Sequence, residues 1–342
     1  MNAQTQVSER LKKLTLNNIN EERFNFFNLL NNNYIFGKRY YDKRGWEGNI
    51  IRFITNSKEL LIKFAVKHTL SGNYPHIGIT AQCGIAIMYR CYESNQWYHI
   101  DCVLSRDETG IFYQNMTKFD ITSMYEILIY GPLIASLSEL VVGIDERSHI
   151  DSKKDKLDVM LFLGGIHTFG VGCTSSALSF PNIVARKGKQ YTIYNCSVNT
   201  RNHIEYINNN INSILPILEK ASGVILEYDY IRQEIKSLKK INKLIEKIKS
   251  YNIPIVLWRV ENFNSTLCKE KEKIINEVFC NISGLYIMST QSVFENLWSE
   301  VCTLSENFIN DTGNVLISKK FIEYMEDKNG IHCLYNRFTK NS

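Results

Sequence analysis

The spacing of hydrophobic residues changes along the chain. Residues 8–31 carry apolar side chains at helical spacing among charged ones, which predicts one or two leading helices in an N-terminal segment, 1–33. Over 59–67, every second residue is apolar, which is the pattern of a half-buried strand. Several such strands with turn residues between them predict an antiparallel β-sandwich, of jelly-roll type, over 34–147.

A different rhythm follows the polar segment at 145–156. Each of the next apolar runs is followed by a polar or amphipathic stretch of helical length, which predicts an α/β domain with a parallel sheet over 157–342. The runs are 159–163, 191–194, 224–226, 253–257 and 285–288. The lysine-rich stretch 235–249 has isoleucines and leucines at helical spacing beneath its lysines, which indicates an amphipathic helix packed on the sheet.

The hydrophobic pattern predicts neither a membrane-spanning segment nor a signal peptide. The most apolar stretch, 124–144, is interrupted by Glu126, Gly131 and Pro132, so it predicts two buried strands around a turn and no membrane span. The polar segment 1–14 carries Glu9, Arg10, Lys12 and Lys13 where a signal peptide needs an apolar core, so we expect a cytoplasmic protein.

Composition excludes several classes of protein. The 342 residues are 44% hydrophobic and 12% aromatic, which excludes a disordered chain or a fibre. The net charge of +5 is small and no basic patch with interleaved aromatics occurs, so we expect no nucleic-acid partner. Nine cysteines without a C-x-x-C pair favour reduced thiols over disulfides or structural zinc. We expect no cofactor and no metal site.

The most informative segment is 161–199, LFLGGIHTFGVGCTSSALSFPNIVARKGKQYTIYNCSVN. An apolar strand runs into a glycine-bearing loop, a helix is predicted to begin near Phe180, and a second strand to end near Asn195. The frame of Gly164, His167-Thr168-Phe169-Gly170 and Gly172 resembles the G-D-S-x-T-x-G block of the SGNH (GDSL-type) hydrolases. The strand-rich region before it, with Gly37-Lys38-Arg39, looks like the sandwich domain of carbohydrate esterase family 2 deacetylases. The resemblance implies a β-sandwich followed by an SGNH-like three-layer α/β domain.

The positions that carry catalysis in this family differ here. The position of the nucleophilic serine holds Ile166, preceded by Gly165 where the family has an acid. An isoleucine side chain has no lone pair and no ionisable proton, so it cannot form an acyl-enzyme by the serine mechanism. Asn195 matches the second block, but Ser197 stands where the oxyanion glycine is usual and offers only its backbone N–H. The strand 224–227 is not followed by the G-x-N-D of the third block.

The closing D-G-x-H block resembles residues 327–332. This likeness implies that His332 takes the place of the general base, with Asn329 in the place of the acid. An amide can orient the imidazole by accepting a hydrogen bond, but it stabilises an imidazolium less than a carboxylate does. His167 and His332 have no third ligand at a helpful spacing for a metal.

Three functions remain open. In the first, a degenerate SGNH esterase-like protein has lost its serine nucleophile and binds an acylated or carbohydrate-type ligand, or a protein partner. Its binding residues would be Gly165, Ile166, His167, Asn195 and Ser197.

In the second, the protein is an ester hydrolase, deacetylase or acyltransferase with a relocated nucleophile. The candidates are Cys173, Ser175 and Ser176, paired with His332, and Cys196 lies at the end of the second strand. A thiolate is the better nucleophile at neutral pH if a histidine or a helix N-terminus stabilises it.

In the third, the protein is an interaction module whose sandwich recognises sugars. Trp46, Trp97 and Tyr98 are the aromatic residues that could stack on a sugar ring. In this hypothesis His167 and His332 have structural roles only.

Overall fold

The computed structural model divides the chain into two units. The first comprises Met1–Lys156 with Thr174–Ala177, and the second Leu157–Cys173 with Leu178–Ser342. The structure describes residues 9–12, 14–15, 19–30, 35–39, 50–67, 74–92, 94, 96–105, 108–119, 124–152, 158–187, 191–200, 202–229, 237–260, 277–279, 282–294, 299–304 and 308–326.

The first unit is built from antiparallel strands. Its strands are β1 (Phe24–Asn28), β2 (Ile35–Arg39), β3 (Ile50–Thr55), β4 (Glu59–Lys67), β5 (Gly84–Cys91), β6 (Tyr98–Leu104), β7 (Thr109–Asn115), β8 (Tyr125–Tyr130), β9 (Ser136–Asp145) and β10 (Ile150–Asp151). It also contains the helices α1 (Glu9–Lys12) and α2 (Ile79–Cys83) and 3₁₀ turns at Glu21–Arg23 and Met116–Phe119. One sheet has the order β1-β9-β4-β7, and a second set runs β2-β3-β8-β5-β6 with β10 beside β3.

The two sheets of this unit enclose one apolar core. Strand β4 contributes alternate side chains from Leu60 to Val66, and strand β5 contributes Ile85, Ile87 and Tyr89. This alternation confirms the antiparallel β-sandwich predicted from the period-two pattern. Strands β8 and β9 account for the apolar run at 124–144, as predicted. None of the helices in the described part of the chain is long and apolar enough to cross a bilayer.

The prediction of helix over 8–31 is wrong for residues 24–28. These residues form β1, which pairs with β9 from Phe24 opposite Asp145 to Asn28 opposite Val141. Sheet pairing with β9 overrides the helical spacing in this segment, and the residues around it also surround Lys63, a buried charge on β4. Lys63 Nζ forms an ion pair with Glu21 Oε2 at 2.5 Å and lies 5.5 Å from the centre of the Phe26 ring.

The second unit is the predicted α/β domain. Its strands are β11 (Asp158–Leu163), β12 (Tyr191–Asn195), β13 (Ala221–Asp229), β14 (Ile255–Val260), β15 (Leu285–Ser289), β16 (Thr303–Leu304) and β17 (Phe308–Ile309). Its helices are α3 (Ile166–Phe169), α4 (Phe180–Lys187), α5 (His203–Leu218), α6 (Ser237–Lys249), α7 (Thr290–Phe294), α8 (Ser299–Cys302) and α9 (Asp311–Glu326), and a 3₁₀ turn, Ser176–Leu178, precedes α4. Five strands are parallel, in the order β12-β11-β13-β14-β15.

Helices pack on this parallel sheet through apolar side chains. Phe180 of α4 and Phe321 of α9 contact Phe162 of β11, with ring centroids 5.2 and 6.1 Å away. The helix α6 buries its leucines and isoleucines from Leu238 to Ile248, which confirms the amphipathic interpretation of the lysine-rich stretch. The strand order reverses beside β11, so the carboxyl ends of β11 and β13 form the switch point where doubly wound sheets bind their ligands.

Candidate functional site

The carboxyl end of β11 leads into a tight turn that has no room for larger residues. A Cβ atom on Gly164 would lie 2.7 Å from Glu227 Oε2, and one on Gly165 would lie 2.5 Å from His203 Nδ1. Gly170 and Gly172 have φ values of 101° and 106°, which side-chain-bearing residues rarely adopt. The glycine frame noted in the sequence is therefore a requirement of this turn. It also leaves no space for an acid at 165.

The carboxylate of Glu227 holds this turn in shape. Its Oε2 accepts hydrogen bonds from the backbone N–H of Gly165 at 2.9 Å and of Thr168 at 2.8 Å, and from Thr168 Oγ1 at 2.6 Å. Glu227 is completely buried, and its Oε1 has no hydrogen-bond partner within the described ranges. A buried carboxylate needs such donors to offset its lost hydration. The three hydrogen bonds therefore stabilise both the buried carboxylate and the conformation of the turn.

The segment after β12 lies beside the same turn. Cys196 N donates to Phe162 O at 2.7 Å, and Val198 N donates to Gly164 O at 3.0 Å. The backbone N–H of Ser197, named above as an oxyanion donor, donates instead to Asn195 Oδ1 at 3.0 Å. Asn195 and Ser197 are thus close to the turn, but they form a hydrogen bond with each other.

The side chains of Ile166 and His167 face inward. Ile166 is 7% exposed and His167 is 1% exposed. The imidazole of His167 packs edge-on against Trp258, with ring centroids 6.3 Å apart. These two predicted binding residues therefore lie at the switch point but present little surface to a ligand.

His203 is a site residue that the sequence analysis missed. Its Nε2 lies 3.0 Å from the backbone carbonyl oxygen of Glu227, so this nitrogen carries the proton and donates it. Its Nδ1 is the atom that excludes a side chain at Gly165. Only weak sequence signals mark these two residues as part of the site, because Glu227 simply follows an apolar run and His203 simply begins a helix.

Cys173 is poorly placed to act as a nucleophile. Its side chain is completely buried, and Asn314 Nδ2 donates to its Sγ at 3.4 Å. Burial, reinforced by the Asp311 carboxylate, raises the pKa of Cys173 well above its ordinary value. The thiol is therefore neutral at physiological pH. Cys196 is completely buried as well.

The other predicted nucleophiles belong to the first unit. Ser175 Oγ accepts a hydrogen bond from Cys102 Sγ at 3.3 Å, and Ser176 Oγ donates to Tyr130 O at 3.5 Å. His332 and Asn329, the predicted base and its orienting group, lie outside the residues that the structure describes. The pairing of these nucleophiles with His332 therefore stays a prediction.

The aromatic residues proposed for sugar stacking have different environments. Trp97 is buried beneath the Arg90 guanidinium, which lies 4.8 Å from the ring centre. Tyr98 is exposed and stacks on Tyr89 at 5.4 Å, whereas Trp46 is outside the described ranges. No group of three or more His, Cys, Asp or Glu side chains in the described ranges is arranged to hold a metal ion.

Comparisons with known proteins agree with this fold. The family model for the GxDLY domain, the N-terminus of SGNH-hydrolase-type esterases, matches residues 45–150. No curated protein sequence matches the chain.

Several solved structures resemble the chain over most of its length. A protein described as a GDSL-like lipase, from Bacteroides ovatus, is 19% identical with a TM-score of 0.62, and the match covers 80% of this chain and 82% of that one. A salicylyl-acyltransferase from a tetracycline biosynthetic pathway is 11% identical (TM-score 0.56; 80% and 81%). A family two carbohydrate esterase from Cellvibrio japonicus is 8% identical (TM-score 0.54; 92% and 99%). The chain therefore has an SGNH-type esterase fold with the two-domain architecture of family 2 carbohydrate esterases, as the sequence resemblance implied.

Proposed function

We propose that the protein is a binding relative of the SGNH esterases. It holds an acylated small molecule or acylated carbohydrate at the carboxyl ends of β11 and β13, without cleaving it by the serine mechanism. The observation that carries this proposal is Ile166, which begins α3 directly beyond β11. In the frame shared with SGNH hydrolases, this is the position of the nucleophile.

The rest of the turn supports the proposal. Between Gly164 and Phe169 the one hydroxyl belongs to Thr168, which already donates to Glu227 Oε2 and is completely buried. A carboxylate next to a hydroxyl can act as a base, but a substrate carbonyl has to come within about 3.5 Å of the attacking oxygen. Burial of both Thr168 and Glu227 prevents that approach.

The class of ligand follows from the fold by analogy. The structural relatives are named as a lipase, an acyltransferase and a carbohydrate esterase, and all three names refer to acyl chemistry. An acyl ester or acylated sugar is therefore the first ligand to test. A protein partner at the same strand ends is the alternative to a small ligand.

Catalysis is tested first, on the full chain. We expect no fluorophosphonate adduct on any serine or threonine of the second unit, and hydrolysis of p-nitrophenyl acetate no faster than with the Ile166→Ala variant. Ile166→Ser tests the register of the frame, with Ile166→Ala as the control that loses the same bulk without adding a hydroxyl. A stoichiometric wild-type adduct in the second unit overturns the proposal. Hydrolysis that disappears in Cys173→Ala establishes the relocated-nucleophile alternative instead.

Binding is tested separately by calorimetry with acetylated xylo-oligosaccharides, their deacetylated forms and short acyl esters. We expect a measurable Kd only for acylated ligands, weakened in Ile166→Trp by the added bulk at the turn. Val315→Trp, on an exposed position of α9, is the matched control. If no acylated compound binds, or if deacetylated sugars bind equally well, the ligand class is wrong.

A further inference from the structure

A second cluster of reactive side chains lies in the first unit, on strand β6. Met88 of β5 pairs with His99 and Ile87 pairs with Asp101, so Ile100 is an extra residue on β6. Residues three apart on a regular strand point to opposite faces. The bulge at Ile100 cancels this alternation and brings His99 and Cys102 onto the same face.

The side chains on that face form a short hydrogen-bonded series. His99 Nε2 lies 3.2 Å from Cys102 Sγ, and Cys102 Sγ lies 3.3 Å from Ser175 Oγ. Ser175 Oγ also accepts a hydrogen bond from Ala177 N at 3.3 Å. An imidazole at this distance can take the thiol proton, and the resulting thiolate can accept hydrogen bonds from both the imidazolium and the serine hydroxyl.

Partial exposure and a neighbouring imidazole together distinguish Cys102 from the other described cysteines. Cys173, Cys196 and Cys302 are buried, whereas Cys102 is partly exposed and its neighbour His99 is exposed. Cys83 and Cys91 in the same unit have a similar partial exposure, and burial raises the pKa of Cys83. Of these three partly exposed cysteines, Cys102 is the one with an imidazole nitrogen beside its sulfur.

We propose that Cys102 is a reactive thiol, activated by His99, that forms mixed disulfides with low-molecular-weight disulfides. The Cys102 thiolate attacks one sulfur of the disulfide, so the Cys102–sulfur bond forms as the reagent's S–S bond breaks. The leaving thiolate takes up the proton held by His99, which returns the imidazole to its neutral form. No net oxidation is required beyond that supplied by the disulfide. This site is independent of the function proposed for the second unit.

Rates for individual cysteines test the proposal. The reduced full-length protein is treated with glutathione disulfide or iodoacetamide under native conditions, and each cysteine is followed by peptide mass spectrometry. We expect Cys102 to react about tenfold or more faster than Cys91 and Cys83, which serve as internal controls of similar exposure. Equal rates for the three cysteines overturn the proposal.

Variants then test the role of His99. His99→Asn should slow the reaction of Cys102 about tenfold and leave Cys91 unchanged, because it removes the base but not the bulge. His76→Asn, at another exposed histidine of the same unit, is the matched control. Ser175→Ala should give a smaller loss. An unchanged Cys102 rate in a folded His99→Asn protein removes the activation by histidine, and if that variant does not fold, the wild-type comparison decides.

Discussion

Thr168 Oγ1 donates a 2.6 Å hydrogen bond to Glu227 Oε2, and both residues are completely buried. The bond connects the turn after β11 with the end of β13, the two strands of the switch point. Because the same oxygen accepts two backbone N–H groups, one carboxylate fixes the conformation of the turn. The turn therefore keeps its conformation although residue 165 is a glycine and residue 166 is an isoleucine, where the SGNH hydrolases have an acid and a serine.

Removal of this carboxylate should destabilise the second unit. Glu227→Ala leaves three buried donors without an acceptor, so we expect the free energy of unfolding to fall by about 3 kcal/mol. Glu227→Gln keeps an acceptor and should cost about half as much. Urea denaturation measures both. Glu205→Gln, at an exposed carboxylate, is the control, and a Glu227→Ala loss as small as that of the control contradicts the role assigned to Glu227.

Gly172 should tolerate no side chain. Its φ of 106° is strained for other residues, and an added Cβ would run into the backbone oxygen of Ile309. We therefore expect Gly172→Ala to lower the free energy of unfolding by about 2 kcal/mol or more. Gly284 is the matched control, because it has a φ of 78° but open space around the added Cβ. Gly284→Ala should cost only the backbone strain, about 1 kcal/mol. Equal losses for the two variants argue against the steric conflict with Ile309.

A buried ion-pair network should stabilise the sandwich. Glu126 is completely buried, and its two carboxylate oxygens accept hydrogen bonds from Arg52 and Arg90. Glu126→Ala removes the buried carboxylate that both guanidinium groups contact, so we expect a loss of about 3–5 kcal/mol. Lys240→Ala, which breaks the exposed pair with Glu205, should cost less than about 1 kcal/mol. Thermal and urea unfolding of the two variants distinguish these costs, and similar values contradict the network's importance.

Most of the fold can be predicted from the periodicity of hydrophobic residues. A strand buried on one face has alternating apolar residues, and a strand buried on both faces has a continuous apolar run. The alternation at Leu60, Ile62 and Phe64 and the apolar runs of the parallel sheet correspond to strands in the structure. The N-terminal segment is the exception. Its residues Phe24–Asn28 form an edge strand whose pairing with β9 depends on distant residues, and no local signal distinguishes that from a helix.

Fewer residues of the candidate site than of the fold could be predicted from the sequence. The glycines of the turn were recognisable, since their spacing is local. The partners that require those glycines were not, because Glu227 and His203 reach the turn only through the packing of β13 and α5. Likewise, the approach of His99 to Cys102 depends on a bulge that the sequence pattern does not reveal.

The burial of Cys173 should make the stability of the protein sensitive to alkaline pH. The folded-state pKa of this thiol is raised by burial and by the Asp311 carboxylate, whereas in the unfolded chain it has its ordinary value of 9.0. Above about pH 9 the folded protein therefore holds a proton that the unfolded chain has lost. The stability contributed by this group is complete below that pH and decreases as the pH rises.

The comparison of wild type with Cys173→Ala isolates this contribution. The variant loses stability at every pH through its cavity, but the wild-type curve should fall more steeply above about pH 9, by at most about 1.4 kcal/mol per pH unit. Urea denaturation between about pH 7.5 and about pH 10.5 measures the difference in slope. Parallel curves for wild type and Cys173→Ala would mean that Cys173 ionises in the folded protein as it does in the unfolded chain, and Cys173 would then regain its place as a candidate nucleophile.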